Sequence, residues 1–79
     1  MDRIMKTLNK MIRKGITTRQ LAEYLYLKGF QLRRIRSRYL LYYSEEFKEM
    51  IIVESGYTRI DNIPITKVVS VERIDVYDE

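Results

Sequence analysis

Cysteine, histidine and tryptophan are all missing from this chain of 79 residues. The lack of cysteine excludes a disulfide framework, a thiolate nucleophile and a cysteine-ligated metal site. The lack of histidine excludes Ser-His-Asp and Cys-His catalysis, imidazole metal ligands and the usual general base near neutral pH. Chemistry on paired carboxylates stays open, but the acidic residues form no recognisable motif, and there is no glycine-rich phosphate loop. We therefore expect a protein that is not an enzyme and that uses no metal, cofactor or small-molecule substrate.

Long hydrophobic runs are missing as well. No apolar run approaches the roughly 20 residues that span a bilayer, and the first residues lack the apolar segment and cleavage site of a secretory signal. The chain is 46% hydrophobic and 33% charged, which suits one small domain, residues 1–79, whose core is marginal alone and would gain from dimerisation. We expect a cytoplasmic protein without membrane contact.

Charge is divided unevenly between the two halves of the chain. Residues 1–43 carry eleven lysines and arginines against two acidic residues, a net charge of +9, whereas residues 44–79 carry four against nine, a net charge of −5, and together these give +4. An asymmetry of this kind points to contact of the basic half with nucleic acid or a membrane surface. The alternative is that the two halves attract each other within one molecule.

The first predicted helix covers residues 2–14. Its apolar residues recur at the spacing that places them on one helix face, while lysines and arginines occupy the other face. The apolar stripe consists of Ile4, Met5, Leu8, Met11 and Ile12. Gly15 then ends the helix, after two cations that complement the negative end of the helix dipole.

The second predicted helix has a specific start signal. Thr17 is a candidate N-cap with Gln20 three residues later, which is the spacing of a capping box, and Ile16 can pack against Leu21. The helix runs from there to Gly29. It should bury Leu21, Ala22 and either Tyr24 or Leu25.

The densest cluster of cations follows this helix, and it consists of Arg33, Arg34, Arg36 and Arg38. Read as a helix, this segment places Leu32, Ile35 and Tyr39 on one face but leaves Arg36 near that apolar side. Read as a strand, it places Ile35 on the same face as Tyr39, Leu41 and Tyr43, and these residue types suit a pleated surface. We predict a helix over residues 32–39, whose end is already extended.

The second half is predicted to be mainly β-structure. Residues 50–53 and 57–60 are expected to form a hairpin around Ser55 and Gly56, although residues 44–50 could instead form a short helix capped by Ser44. Residues 61–64 are a turn by composition. A long strand over residues 65–77 follows, with a bulge near Glu72 and Arg73. The expected fold class is α+β: two or three N-terminal helices, of helix-turn-helix type, packed with a C-terminal antiparallel hairpin or meander.

A family resemblance accompanies this pattern. The capped helix TTRQLAEYL, the residues Leu25, Gly29 and Phe30, and the arginine-rich segment resemble the winged helix-turn-helix superfamily over residues 4–54, especially arginine-repressor-type DNA-binding domains. The resemblance implies a transcriptional regulator that binds duplex DNA. In helix-turn-helix docking, residues 18 and 19 would meet the DNA backbone, and residues 28 and 31 would add a phosphate and a base contact. The candidate nucleic-acid contacts are Thr18, Arg19, Lys28, Gln31, Arg33, Arg34, Arg36 and Arg38.

A second resemblance points to RNA. Gly29, Phe30, Leu32 and Arg34, followed by a serine and an aromatic run, are similar to the helix-to-strand passage of HicA-type toxins, which have a double-stranded-RNA-binding-like fold. Those ribonucleases depend on a histidine directly after that serine. In this chain Arg38 follows the serine, so catalysis is not carried over, whereas binding of structured RNA stays open.

Four further interpretations accompany these. The arginines can pair with carboxylates of the same chain, for which the candidates are Glu45, Glu46, Glu49 and Glu54. Tyr39, Tyr42 and Tyr43 can stack on the bases of a single strand, but such a run is more often core. The apolar residues of segment 68–76 predict a homodimer formed edge to edge. A protein-interaction module, such as an inhibitor or adaptor of viral or plasmid type, is the alternative to a nucleic-acid-binding protein.

Overall fold

A computed structural model describes residues 3–75, and the side chains of all of these except residues 58–60, 64, 65 and 75. Two helices are followed by four strands in chain order. They are α1 (Arg3–Lys14), α2 (Thr18–Leu27), β1 (Gln31–Arg36), β2 (Tyr39–Ser44), β3 (Glu49–Ile60) and β4 (Ile63–Asp75). The expected α+β class, with helices first and an antiparallel sheet after them, is confirmed.

Both helices form where the sequence predicts them. In α1, Leu8 is fully buried and the other apolar residues of its stripe pack against the core, while Gly15 follows the helix with a positive φ of 83°. In α2, Thr17 accepts a hydrogen bond from the Gln20 amide and the Gln20 side chain accepts one from the Thr17 amide, which completes the capping box. Residue 2, where the first helix was expected to begin, lies outside the described residues.

The four strands form one antiparallel sheet in the order β1-β2-β3-β4. Tyr42 pairs with Ile51, and Val53 pairs with Val71. Residues directly paired across an antiparallel ladder point to the same face, and this face is the one that the helices cover. The core cluster unites Leu8, Ile16, Leu21, Leu25, Phe30, Tyr42, Ile51, Val53 and Val68.

The predicted third helix, over residues 32–39, is wrong. Residues 31–36 form β1, a two-residue turn at Ser37 and Arg38 follows, and β2 begins at Tyr39. The helical interpretation left Arg36 on the apolar side, whereas pairing with β2 places it outward and supplies backbone partners for the segment. The helix-turn-helix arrangement is not confirmed, because a strand occupies the place that a recognition helix would take.

The predicted hairpin turn at Ser55 and Gly56 is also wrong, because both residues lie inside the continuous strand β3. The short helix considered for residues 44–50 is absent too, and a four-residue turn joins β2 to β3 there. The bulge predicted near Glu72 lies elsewhere. Glu54 pairs with Ser70 and Ser55 pairs with Val68, so the extra residue of β4 is Val69. Ser-Gly pairs are common in turns, but here the glycine lies beside the bulge.

The turn predicted for residues 61–64 is confirmed in its first half. Asp61 and Asn62 have φ values of 52° and 66°, and the flanking residues 60 and 63 are already paired as strand residues. Two consecutive positive φ values are the mark of a type I′ hairpin turn, which Asp and Asn tolerate well. The strand expected over residues 65–77 therefore begins earlier, at Ile63, and residues 76 and 77 lie outside the described part.

Candidate nucleic-acid interface

The outward face of the sheet is the face opposite the helices, and it collects the arginine cluster. Arg34 pairs with Leu41, and Arg36 pairs with Tyr39. Because side chains alternate along a strand, residues 39, 41 and 43 point away from the core that Tyr42 enters. The same register places Met50, Ile52 and Glu54 of β3, and Ser70, Glu72 and Ile74 of β4, on this outward face.

Arg33 reaches the outward face through an irregularity of β1. The ladder shifts between Leu32 and Arg34, so that Arg33 is an extra residue in the edge strand. Its guanidinium carbon lies 4.7 Å from the centre of the Tyr43 ring. A cation at this distance from an aromatic face is attracted by the ring electrons. The irregularity thus directs Arg33 over Tyr43.

Arg38 is the one member of the cluster that is held by a carboxylate among the described residues. Its Nε lies 3.1 Å from Glu54 Oε2, and its guanidinium carbon lies 5.5 Å from the Tyr39 ring centre. The hydrogen bond to the Tyr39 hydroxyl and the charges of Tyr39 and Glu54 raise the pKa of Arg38 above its ordinary value. The carbonyl of Arg38 also accepts hydrogen bonds from the amide and the hydroxyl of Ser55, at 2.8 and 2.9 Å. The tip of the β1–β2 hairpin is therefore fixed to β3.

Arg34 and Arg36 have no such restraint. Both are exposed, and among the described side chains no carboxylate lies within ion-pair distance of either guanidinium. They border a shallow depression of about 420 Å³, whose floor includes Leu41 and Ile52 and whose far side carries Glu72. Two available guanidinium groups next to an apolar floor can donate hydrogen bonds to phosphate oxygens along one side of a ligand.

Three of the other predicted contacts, Thr18, Arg19 and Lys28, are not part of this face. Thr18 is the first residue of α2, and the exposed Arg19 lies 3.9 Å from Glu23 one turn later. Lys28 caps the end of α2, with its Nζ 5.6 Å from the Tyr24 ring centre. Gln31 begins β1 and pairs with the outward-facing Tyr43, and it also borders a second depression on the helical side. The structure therefore unites the four arginines and separates Thr18, Arg19 and Lys28 from them.

Internal charge pairing accounts for only part of the cluster. Of the four carboxylates considered as partners, Glu54 pairs with Arg38, while Glu49 pairs with Arg73 at 3.4 Å. Arg33 is placed by an aromatic ring, and Arg34 and Arg36 stay available. The acidic half thus neutralises one arginine of the cluster among the described residues.

The tyrosine run divides between the two faces, which the sequence did not settle. Tyr42 is buried in the core, whereas Tyr39 and Tyr43 lie on the outward face beside the arginines. Sequence reasoning missed Ile52 and Glu72 as neighbours of the cluster. Alternation along residues 39–44 would have assigned each tyrosine to a face, but only if the segment had been known to be a strand that follows a turn at Ser37.

None of the helices in the described part of the chain is both long and apolar enough to cross a membrane. Within the same residues, no three acidic side chains gather as metal ligands would. No protein-family model, curated protein or solved structure matches the chain.

Proposed function

We propose that this protein is a non-enzymatic nucleic-acid-binding protein, and that the outward face of β1 and β2 is its binding surface. One observation carries the proposal: Arg34 and Arg36 lie side by side on an uncovered sheet face and have no carboxylate partner among the described residues. Exposed ion pairs contribute only about 0 to 1 kcal/mol each, so stability gives little reason for this clustering of arginines. Neutralisation of phosphates, with release of their counterions, gives a direct reason for the clustering.

The surrounding residues support a phosphate ligand. Arg33 and Arg38 flank the same face and are already ordered by Tyr43 and Tyr39. Arginine presents a planar fork of donors that matches phosphate oxygens, and ordering it in advance reduces the entropy lost on binding. A two-stranded ribbon can also enter the major groove of duplex DNA. Duplex DNA, the target implied by the winged helix-turn-helix resemblance, therefore belongs in the first binding assay.

The test is a fluorescence anisotropy titration with labelled duplex DNA, single-stranded DNA and single-stranded RNA at low salt. The double variant Arg34→Ala/Arg36→Ala should bind the preferred oligonucleotide at least tenfold more weakly than the unmodified protein, because two phosphate contacts are lost. The matched control is Arg3→Ala/Arg13→Ala, which removes two exposed arginines from α1, on the other side of the sheet. Equal losses in the two double variants would contradict the proposal, as would the absence of binding to all three oligonucleotides.

A protein-interaction module is the second candidate, and one observation favours it. Tyr26 and Leu27 at the end of α2 are 73% and 80% exposed, and Leu32 at the start of β1 is 45% exposed. They border a second depression of about 840 Å³ on the helical side, with Phe30 at its base. Exposed apolar residues grouped in this way are typical of interaction surfaces. Capture of one protein that is lost in Leu27→Glu, without nucleic-acid binding at low salt, would favour this function.

A further inference from the structure

The outward face of the sheet differs in charge from one edge to the other. Arg34 and Arg36 stand on β1, while Glu72 stands on β4 and Glu54 on β3. Between them, the middle strands present apolar and aromatic side chains, namely Tyr39, Leu41, Tyr43, Met50 and Ile52. Where all four strands lie side by side, a ligand on this face meets cations at the β1 edge, an apolar floor in the centre and the carboxylate of Glu72 at the β4 edge, while Glu54 is already paired with Arg38.

This difference in charge across the face disfavours a duplex, which carries two phosphate backbones. From β1 to β4 the sheet spans three strand spacings, roughly 14 Å, which is close to the width of about 12 Å of a DNA major groove. A duplex laid with that groove over the face would place its second phosphate backbone above Glu72. Repulsion between those charges disfavours the duplex, whereas one backbone along β1 avoids them.

The apolar floor can contact the flat faces of bases, which a single strand exposes and a duplex hides. Tyr39 and Tyr43 stand at the two ends of the β2 floor, with Leu41 between them. Their rings lie under the guanidinium groups of Arg38 and Arg33, at 5.5 and 4.7 Å. Bases stack on tyrosine rings and on guanidinium planes alike, and this stacking depends little on sequence.

We infer that the protein binds single-stranded nucleic acid, with the phosphate backbone along Arg34 and Arg36 of β1 and the bases stacked on the two guanidinium–tyrosine pairs, Arg38 with Tyr39 and Arg33 with Tyr43. This inference rests on the nucleic-acid binding proposed above and specifies its ligand. The strand crosses the face once, since the carboxylate of Glu72 disfavours a second line of phosphates on the β4 side. DNA and RNA share this chemistry, and the two are separated by experiment.

The experiment compares oligo(dT), oligo(U) and a duplex of equal length by anisotropy at one salt concentration. The single strands should bind at least tenfold more tightly than the duplex. Tyr43→Leu and Tyr39→Leu should each weaken single-strand binding about tenfold, whereas Tyr43→Phe, which keeps the ring, should stay within about threefold of the unmodified protein. Tyr26→Leu, at an exposed tyrosine on the helical side, is the matched control and should have no effect.

Thermal unfolding of each variant verifies that it folds, and quenching of tyrosine fluorescence by oligo(dT) in the unmodified protein reports stacking without a substitution. Duplex binding as tight as single-strand binding, with neutral tyrosine variants but a weakened Arg34→Ala/Arg36→Ala variant, would overturn the single-strand inference and leave nucleic-acid binding intact. Failure to bind any of the three oligonucleotides would overturn both. Preference between oligo(dT) and oligo(U) assigns the strand to DNA or RNA.

Discussion

Tyr42 and Tyr43 are neighbours in sequence and lie in opposite environments. Tyr42 is 5% exposed and belongs to the core, whereas Tyr43 faces outward under Arg33. Burial raises the pKa of the Tyr42 hydroxyl above its ordinary value, because the charged form would lose its hydration. The difference between the two residues is a consequence of strand alternation alone.

The shift at Tyr42 predicts a dependence of stability on alkaline pH. The folded state holds the Tyr42 proton more tightly than the unfolded state does, so its contribution to stability is complete below the ordinary tyrosine pKa of about 10 and is lost as the pH rises through and above that value. We expect the free energy of unfolding in urea to fall above about pH 10, and Tyr42→Phe to reduce that fall. Tyr26→Phe, at an exposed position, is the control. An equal effect of the two substitutions would contradict the assignment.

The residues of the candidate site could be predicted from the sequence only in part. The four arginines stand out by density, and the structure does place them together. Their tyrosine neighbours could not be selected, because Tyr39, Tyr42 and Tyr43 differ only in the face to which the register assigns them. The position of Arg33 depends on an irregularity that no sequence signal marked.

At the scale of the secondary-structure element, two reciprocal hydrogen bonds stabilise the start of α2. Thr17 Oγ1 accepts from the Gln20 amide at 3.2 Å, and Gln20 Oε1 accepts from the Thr17 amide at 3.0 Å. Thr17→Ala should lower the free energy of unfolding by about 1 kcal/mol, since a helix amide loses its partner. Chemical denaturation measures this loss.

Thr18→Ala provides the control for this prediction. It makes the same change one residue later, at the first position of the helix, where alanine has the higher helix propensity. Its free energy of unfolding should stay within about 0.5 kcal/mol of that of the unmodified protein. Equal destabilisation by the two substitutions would show that the capping box contributes nothing.

The bulge of β4 depends on a glycine in β3. A Cβ atom added at Gly56 would lie 2.6 Å from Val69 Cγ2, and Val69 is the extra residue of the bulge. Gly56→Ala should therefore destabilise the protein by about 1 to 3 kcal/mol, because the close approach forces Val69 to shift. Adding Val69→Ala removes the clashing methyl group and should recover most of the loss. Additive effects in this double-mutant cycle would contradict the steric explanation.

The elements differ in how well the sequence predicts them, for a physical reason. Both helices carry a 3.6-residue apolar period and a local stop or start signal, and both form as predicted. Residues 32–39 fit both the helical and the strand period. Pairing with β2 makes the segment a strand, and local sequence does not encode that contact. Gly56 reads as a turn residue, but its role in the strand follows from the bulge in the partner strand.

At the scale of the whole molecule, the sheet has two edges of different character. β1 carries arginines, so pairing of two β1 edges would bring like charges together. β4 carries Ser70, Val71 and Ile74 along its edge, and its amide at Val68 is already bonded to the Ile16 carbonyl at 3.0 Å. The edge beyond Ser70 is therefore the better surface for self-association.

We expect a homodimer that joins two β4 edges. Sedimentation equilibrium should show the dimer at high micromolar concentration, and Ile74→Lys should shift it to the monomer, because an edge lysine opposes strand pairing. A monomer at that concentration for the unmodified protein would contradict this expectation. It would leave the arginines of β1, at the opposite edge of the sheet, unaffected.

The layered arrangement explains how one small chain separates folding from binding. The helices and the inner sheet face hold the core cluster, so the outward face is left to present charged and aromatic side chains. The acidic half neutralises Arg38 through Glu54 but leaves Arg34 and Arg36 available among the described residues. The central claim is that these two arginines neutralise phosphates.

The salt dependence of single-strand binding tests that claim most directly. The logarithm of the association constant should fall linearly with the logarithm of salt concentration, and each phosphate contact adds about 0.7 to that slope for single strands. Arg34→Ala/Arg36→Ala should make the slope shallower by about 1.4, whereas Arg3→Ala/Arg13→Ala should leave it unchanged. A slope that is the same in the unmodified protein and in the Arg34→Ala/Arg36→Ala variant would contradict the claim.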